Sequence, residues 1–147
     1  MTDVLAPLRG LDVDDRTLVH ELVRTLELAY ARDYRSIRHA YATCLSEVAT
    51  LLPSTDRLES TLRAARDVVE GPTGEEGDEA WAELSRAATR SYPFGPGDGC
   101  HCVDALGVQG CGPGSGCRSG AGTFDSIALT VGYAPVAAAT RDVLARG

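Results

Sequence analysis

The stretch "DDRTLVHELVRTLELAYARDYRSIRHAYATCLSEVATLL", residues 14 to 52, decides how the chain folds. It lies in a span between Gly10 and Gly71 that has no other glycine and a single proline, Pro53, so nothing before residue 53 interrupts a helix. Apolar residues recur as Leu18, Leu22, Leu26, Tyr30 and Tyr34, then as Ile37, Tyr41, Cys44, Val48 and Leu51, the spacing of a buried helix face. Asp14 or Asp15 supplies the cap at its start. The first half steps by four and the second alternates three and four, so the apolar stripe changes phase near residues 30–34. Either one long helix bends there, or two helices meet in a tight turn around "ARDYRS", residues 31 to 36.

Downstream of Pro53 the pattern stays helical. Ser54, Thr55 or Asp56 caps a helix reaching about Glu70, with Glu59 in capping-box spacing from Asp56 and Leu58, Leu62, Ala65, Val68 and Val69 turned inward. Residues 71 to 77, "GPTGEEG", form a loop, and Asp78 caps a short helix carrying Trp81, Leu84, Ala87 and Ala88. The acidic run Glu70, Glu75, Glu76, Asp78, Glu79 and Glu83 matches no calcium-loop spacing and is expected to be a solvated loop plus a negative first helical turn. Near the C-terminus, "TFDSIALTV" turns Phe124, Ile127, Ala128 and Val131 inward, Gly132 stops it, and Pro135 sits in the first turn of a last helix. No strand signal and no internal repeat is present. The fold class expected is all-α: a single helical domain over 1–147, a bundle of four to six helices, with a Gly/Cys-rich irregular loop at about 93–122 before two short C-terminal helices.

That loop holds ten of the sixteen glycines and four of the five cysteines, Cys100, Cys102, Cys111 and Cys117, spaced C-x-C-x8-C-x5-C. A segment without an apolar periodic face cannot order itself by burial, because each ordered residue costs about 1–2 kcal/mol of conformational entropy. Four thiolates around one ion would supply the missing energy, structural zinc being worth roughly 10–16 kcal/mol in apparent binding. Glycines suit the same purpose, since they permit φ > 0 turns that aim N–H groups at anionic sulfur. Zinc and an iron–sulfur cluster fit equally: the one-residue gap departs from zinc ribbons, and neither common ferredoxin spacing is present. His101 is the further candidate ligand or a hydrogen-bonding neighbour of the site, and disulfide pairing among the four cysteines is the alternative to metal. "GPGSGCRS", residues 112 to 119, has Cys117 and Arg118 where a phosphate loop needs glycine and lysine, and no strand precedes it, so nucleotide binding is not expected.

Composition bounds the partners. The chain carries 14 basic and 21 acidic residues, net charge −7, which disfavours nucleic acid and anionic membranes. Every basic residue is arginine, and asparagine is absent too, a pattern that suits a GC-rich coding sequence. No apolar run of signal-peptide or membrane-spanning length occurs, so a cytoplasmic location is expected, where thiols stay reduced. Arg24, Arg32, Arg35, Arg38 and His39 give the N-terminal helices a basic, solvated side. His20 and Glu21 lack the Glu-x-x-His pairing of di-iron bundles, so no catalytic site is assigned to the helices. Cys44 falls on a core position and is expected to be buried and inert.

The placing of Ile127, Val131, Gly132, Tyr133, Arg141 and Val143 resembles the helix-turn-helix of AraC-type transcription regulators over residues 127 to 147. It departs from that family at Ala139, where an aromatic stands, and at Asp142 and Leu144, where basic residues stand. The resemblance implies a second helix entering the major groove among phosphate contacts; the acidic chain favours two packed helices joined at Gly132 instead. The function expected is a non-enzymatic binding or regulatory protein, with a protein partner or self-association, whose loop holds zinc or an iron–sulfur cluster. A redox or accessory enzyme using these thiols is the rival, and a redox-sensing transcription factor the third reading.

Overall fold

In the computed structural model, residues 3–90 and 122–146 are described. Among them are six α-helices and no strand: α1 (Asp15–Arg32), α2 (Arg38–Ala49), α3 (Asp56–Glu70), α4 (Asp78–Arg90), α5 (Gly122–Val131) and α6 (Tyr133–Arg146). Short 3-10 turns cover Ala6–Leu8, Tyr34–Ile37 and Glu75–Gly77. The all-α reading and its helical bundle hold; the Gly/Cys-rich loop lies outside the described residues except for Gly122, which opens α5.

The phase change near residue 33 produces two helices joined by a corner. Asp33 is extended, with φ −158° and ψ 104°, and its carboxylate accepts from the Arg35 N–H at 3.0 Å, capping the next turn while its own N–H still donates to the Ala29 carbonyl. The physical reason is burial: a straight continuation would rotate Ile37, Tyr41, Cys44 and Val48 off the core side, and all four are buried. Asp14 caps α1 through the Thr17 N–H at 2.8 Å. At α3 the cap is Thr55, which accepts from Leu58 N–H at 3.1 Å, and the expected capping box is replaced by a Ser54 hydroxyl donating to Glu59 at 3.0 Å.

Helix α2 is the central element. It packs on α3 and α6; α3 in turn carries α4, and α6 also meets α1 and α5. Leu22 and Leu26 of α1, Leu45 and Val48 of α2, Ile127 of α5 and Val136 of α6 are fully buried, each worth about 1.5–3 kcal/mol of removed apolar surface. Tyr41 joins the two sides: its ring meets Trp81 of α4 edge-on at 5.5 Å and Phe124 of α5 at 5.6 Å. The N-terminal segment, for which the periodicity set no expectation, adds Val4, Leu5 and Leu8 to this core.

Several positions differ from the sequence expectation: Tyr34, at the end of the first apolar stripe, is exposed in the turn between α1 and α2. Leu51 lies beyond the end of α2 and is exposed, Val69 is exposed on α3, and Thr61 takes an inward place, its hydroxyl donating to the Arg57 carbonyl at 3.0 Å. That hydroxyl also reaches the Ala87 carbonyl of α4 at 3.3 Å, so a polar side chain serves the α3–α4 contact without an unmet hydrogen bond. Between α5 and α6, Gly132 has φ +98° and its N–H donates to Ala128, the left-handed stop the sequence implies. No helix among the described residues is long and apolar enough to cross a membrane.

Candidate functional site

The expected ligands Cys100, Cys102, Cys111, Cys117 and His101 all lie outside the described residues. What is described is the platform on either side of them: α4, which ends at Arg90, and α5, which begins at Gly122, both braced on Tyr41. The fifth cysteine, Cys44, is fully buried in α2, and burial pushes its thiol up to about 12, far from the thiolate needed for metal binding or exchange. Among the described residues no group of three or more His, Cys, Asp or Glu side chains is placed to hold a metal.

The basic side of the N-terminal helices is solvated at Arg24 and Arg32, as its sequence suggested, but not at Arg38. Arg38 is 1% exposed. Its Nη2 donates to Asp78 at the start of α4, its Nη1 donates to the Gly74 carbonyl at 3.1 Å, and the guanidinium stacks 5.1 Å over the Tyr34 ring. Arg35 adds a two-pronged bond to the same carboxylate, at 2.9 and 3.2 Å. His39 reaches the Gly71 carbonyl through Nε2 at 3.1 Å. Asp78, expected within a solvated acidic run, is therefore the acid that neutralises α2. A Cβ at Gly77 would stand 2.3 Å from the Pro72 carbonyl oxygen and 3.0 Å from Arg38 Nη1, so only glycine lets this connection close down on the guanidinium. Arg38, four residues after Tyr34 and three before Tyr41, was the available signal, but spacing alone does not separate a buried guanidinium from a solvated one.

Beside this clamp a groove of about 600 Å³ opens between the N-terminal segment at Asp3, Val4, Leu5 and Arg9, the Tyr34–Ile37 turn, α2 and α6. Val4, Leu5, Ala40 and Val143 give it an apolar floor, and Arg9, Arg35, His39 and Arg146 stand around it. Arg9 is bound to Asp3 at 2.9 Å and to the Leu144 carbonyl, which ties the N-terminal segment to α6. The Ser36 hydroxyl in the groove donates to the Asp33 carbonyl at 2.7 Å. Among the described groove residues, no hydroxyl is hydrogen-bonded to a histidine or carboxylate that would activate it as a nucleophile.

The two C-terminal helices pack together as the sequence favoured, and α6 is a core helix against α1 and α2. Val136, Ala137, Ala139, Thr140 and Val143 are buried. Arg141 pairs with Asp15 at 2.7 Å and Arg146 with Glu47 at 2.8 Å, so both arginines of α6 are engaged within the chain. Its outward side otherwise carries Ala134, Ala138, Asp142 and Ala145.

No family model matches the chain, and neither a curated protein nor a solved structure matches it.

Proposed function

We propose that the protein is a small cytoplasmic helical binding or regulatory module in which Cys100, Cys102, Cys111 and Cys117 hold zinc or an iron–sulfur cluster, with His101 beside them. The observation that carries this reading is the isolation of Cys44. Buried and held as a neutral thiol, it cannot complete or compete with the other four, which leaves an even set of cysteines within eighteen residues. Thiolates are the donors that zinc and iron–sulfur clusters take in preference to harder ions. The metal would replace the apolar burial that the segment's composition cannot supply, and the ordered segment would be the surface a protein partner meets.

The described helices support a platform role, because α4 and α5, which flank the cysteine-rich segment in the chain, both pack on Tyr41 in one shared core. The engaged state of Arg141 and Arg146 supports a protein partner over DNA, since a recognition helix needs cations left over for phosphates.

Elemental analysis and an absorption spectrum of the full chain purified without oxygen test the proposal. Colour between about 300 and 600 nm identifies an iron–sulfur cluster, and one equivalent of colourless zinc identifies the structural ion. Neither metal, together with four thiols lost until reductant is added, replaces the proposal with the disulfide alternative. Under the metal reading, Cys111→Ser exposes the segment to protease while circular dichroism keeps its helical signal.

A further inference from the structure

We infer that residues 3–9 form an exchangeable strap, which opens as a unit about Gly10 and whose seat between α1, α2 and α6 takes the same strap from a second copy of the chain. The inference is independent of the cysteines. The strap lies with one side down: Val4, Leu5 and Leu8 are buried, while Ala6 and Pro7 face outward. Its backbone hydrogen bonds are its own. The Ala6, Leu8 and Arg9 N–H groups donate to the carbonyls of Asp3, Leu5 and Ala6, and the Leu5 N–H donates to the Asp3 carboxylate. Arg9 pairs with Asp3 inside the strap, and the one hydrogen bond from residues 3–9 to the described helices runs from Arg9 to the Leu144 carbonyl. A segment whose backbone groups are satisfied internally leaves its seat without orphaning donors there.

Gly10 has the properties of a hinge. Its φ is +80°, nothing stands within 4 Å of where a Cβ would be, and Gly10, Leu11 and Asp12 are exposed. Besides the Arg9 bond, opening gives up the 3.3 Å bond from the Leu11 N–H to the Leu8 carbonyl, which water replaces at this exposed turn. Beyond the hinge the chain is held, since Arg141 donates to the Val13 carbonyl at 3.1 Å and Asp14 caps α1. Packing around the strap is incomplete: it separates the 600 Å³ groove on the α2 and α6 side from a hollow of about 330 Å³ against α1, and Asp3 and Val4 line both. Opening alone exposes Val4, Leu5 and Leu8, so the closed form dominates in an isolated copy. A second copy reverses that loss, because each contact is replaced by its identical counterpart, the low-cost route to a dimer. A peptide of another sequence would have to match the Val4, Leu5 and Leu8 spacing and also bring a guanidinium for the Leu144 carbonyl. The short linker sets the concentration at which the two forms compete, on the order of millimolar.

Shortening the hinge of the full chain tests this. Deleting Leu11 and Asp12 removes about 7 Å of reach, so the strap no longer returns to its own seat and must use a neighbour's. The shortened chain should sediment as a dimer at about 10 μM, where the parent should be monomeric, a gain in dimer affinity of at least about a hundredfold over a millimolar parent. Leu8→Asp in that background should return it to a monomer that keeps its helical circular dichroism, because the bundle stands with the strap open. In the parent, the Leu8 and Arg9 amides should exchange with solvent at least about tenfold faster than buried amides of α1, α2 and α6. The synthetic peptide TDVLAPLRG should bind the full-length Leu8→Asp chain saturably, and the parent at least about tenfold more weakly, since the parent's own strap holds the seat. The inference is overturned if the shortened chain stays monomeric, or if its dimer survives Leu8→Asp, which would place the contact on another face. It is equally overturned if Leu8→Asp loses the helical signal, if the strap amides exchange only together with those of the bundle, or if the peptide binds neither chain.

Discussion

Arg38 on α2 and Asp78 at the start of α4 form an ion pair in which the base is buried and the acid stands at the rim, 1% and 38% exposed at their side chains. The pair is unequal in its consequences. Removing Asp78 leaves a guanidinium enclosed by Tyr34 and the 71–77 connection with only a backbone carbonyl to meet its charge. Asp78→Ala should therefore lower the unfolding free energy by about 3 kcal/mol, whereas Arg35→Ala, on the half-exposed partner, should cost under about 1 kcal/mol. Arg38→Met combined with Asp78→Ala should recover much of the loss. Urea denaturation at neutral pH measures all three, and equal losses for the two single changes would show that Arg38 does not depend on Asp78.

Glycine substitutions should separate close approach from backbone strain. Gly77→Ala places a methyl against the Pro72 carbonyl and the Arg38 guanidinium, and is expected to destabilise by about 1–3 kcal/mol. Gly132→Ala meets no serious contact but must adopt φ +98°, which costs about 1–2 kcal/mol. Gly74, with φ −96° and open space around its Cα, is the control: Gly74→Ala should stay within about 0.5 kcal/mol of the parent. Thermal melts of the three variants give the order.

Tyr41 carries the contact between the two halves of the bundle. Truncation by Tyr41→Ala should cost about 3–5 kcal/mol, as for other large aromatic side chains removed from a core, and Tyr41→Phe far less. Trp81 is the chain's single tryptophan and rests against this ring, so its fluorescence should shift to the red in Tyr41→Ala before global unfolding. An unchanged emission maximum would show that α4 is held by α3 alone.

Cys44 should be silent to thiol reagents while the bundle is folded. Four thiols at most should react with a disulfide reagent near neutral pH, the fifth appearing only in denaturant. Its raised ionisation also sets a pH dependence. A thiol that ionises near 9 in the open chain and about 12 when buried has its full contribution to stability below 9, and that contribution is lost as pH rises from 9 toward 12. Cys44→Ala should consequently flatten the alkaline fall in stability, measured by denaturation at pH 8, 10 and 11; an unchanged slope would place the effect on other groups.

Much of the helical framework was legible in local pattern. Leu18, Leu22, Leu26, Ile37, Tyr41, Cys44 and Val48 are buried where the periodicity placed them, Asp14 caps α1, and Gly132 turns the chain between α5 and α6. Such signals are local, since caps and left-handed stops act within a turn and a helical stripe needs only its own period. The clamp was not legible. Arg35, Arg38 and His39 have the spacing of a solvated face, and whether a guanidinium is buried depends on what crosses over it, here a connection more than thirty residues away. The groove was equally hidden, because Val4 and Leu5, Arg35 and His39, and Val143 and Arg146 come from three distant parts of the chain.

By itself, the sequence determined an all-α chain, the starts of most of its helices and the inert place of Cys44. Each rests on interactions between residues a few positions apart, or on composition. Tertiary structure alone decided that α2 is the central helix, that Asp78 at the rim pairs with the buried Arg38, and that a groove with Val4, Leu5, Ala40 and Val143 in its lining lies beside α6. These depend on which helix faces meet, and so on the burial of the whole core and the desolvation of charges within it, which no short window of residues contains.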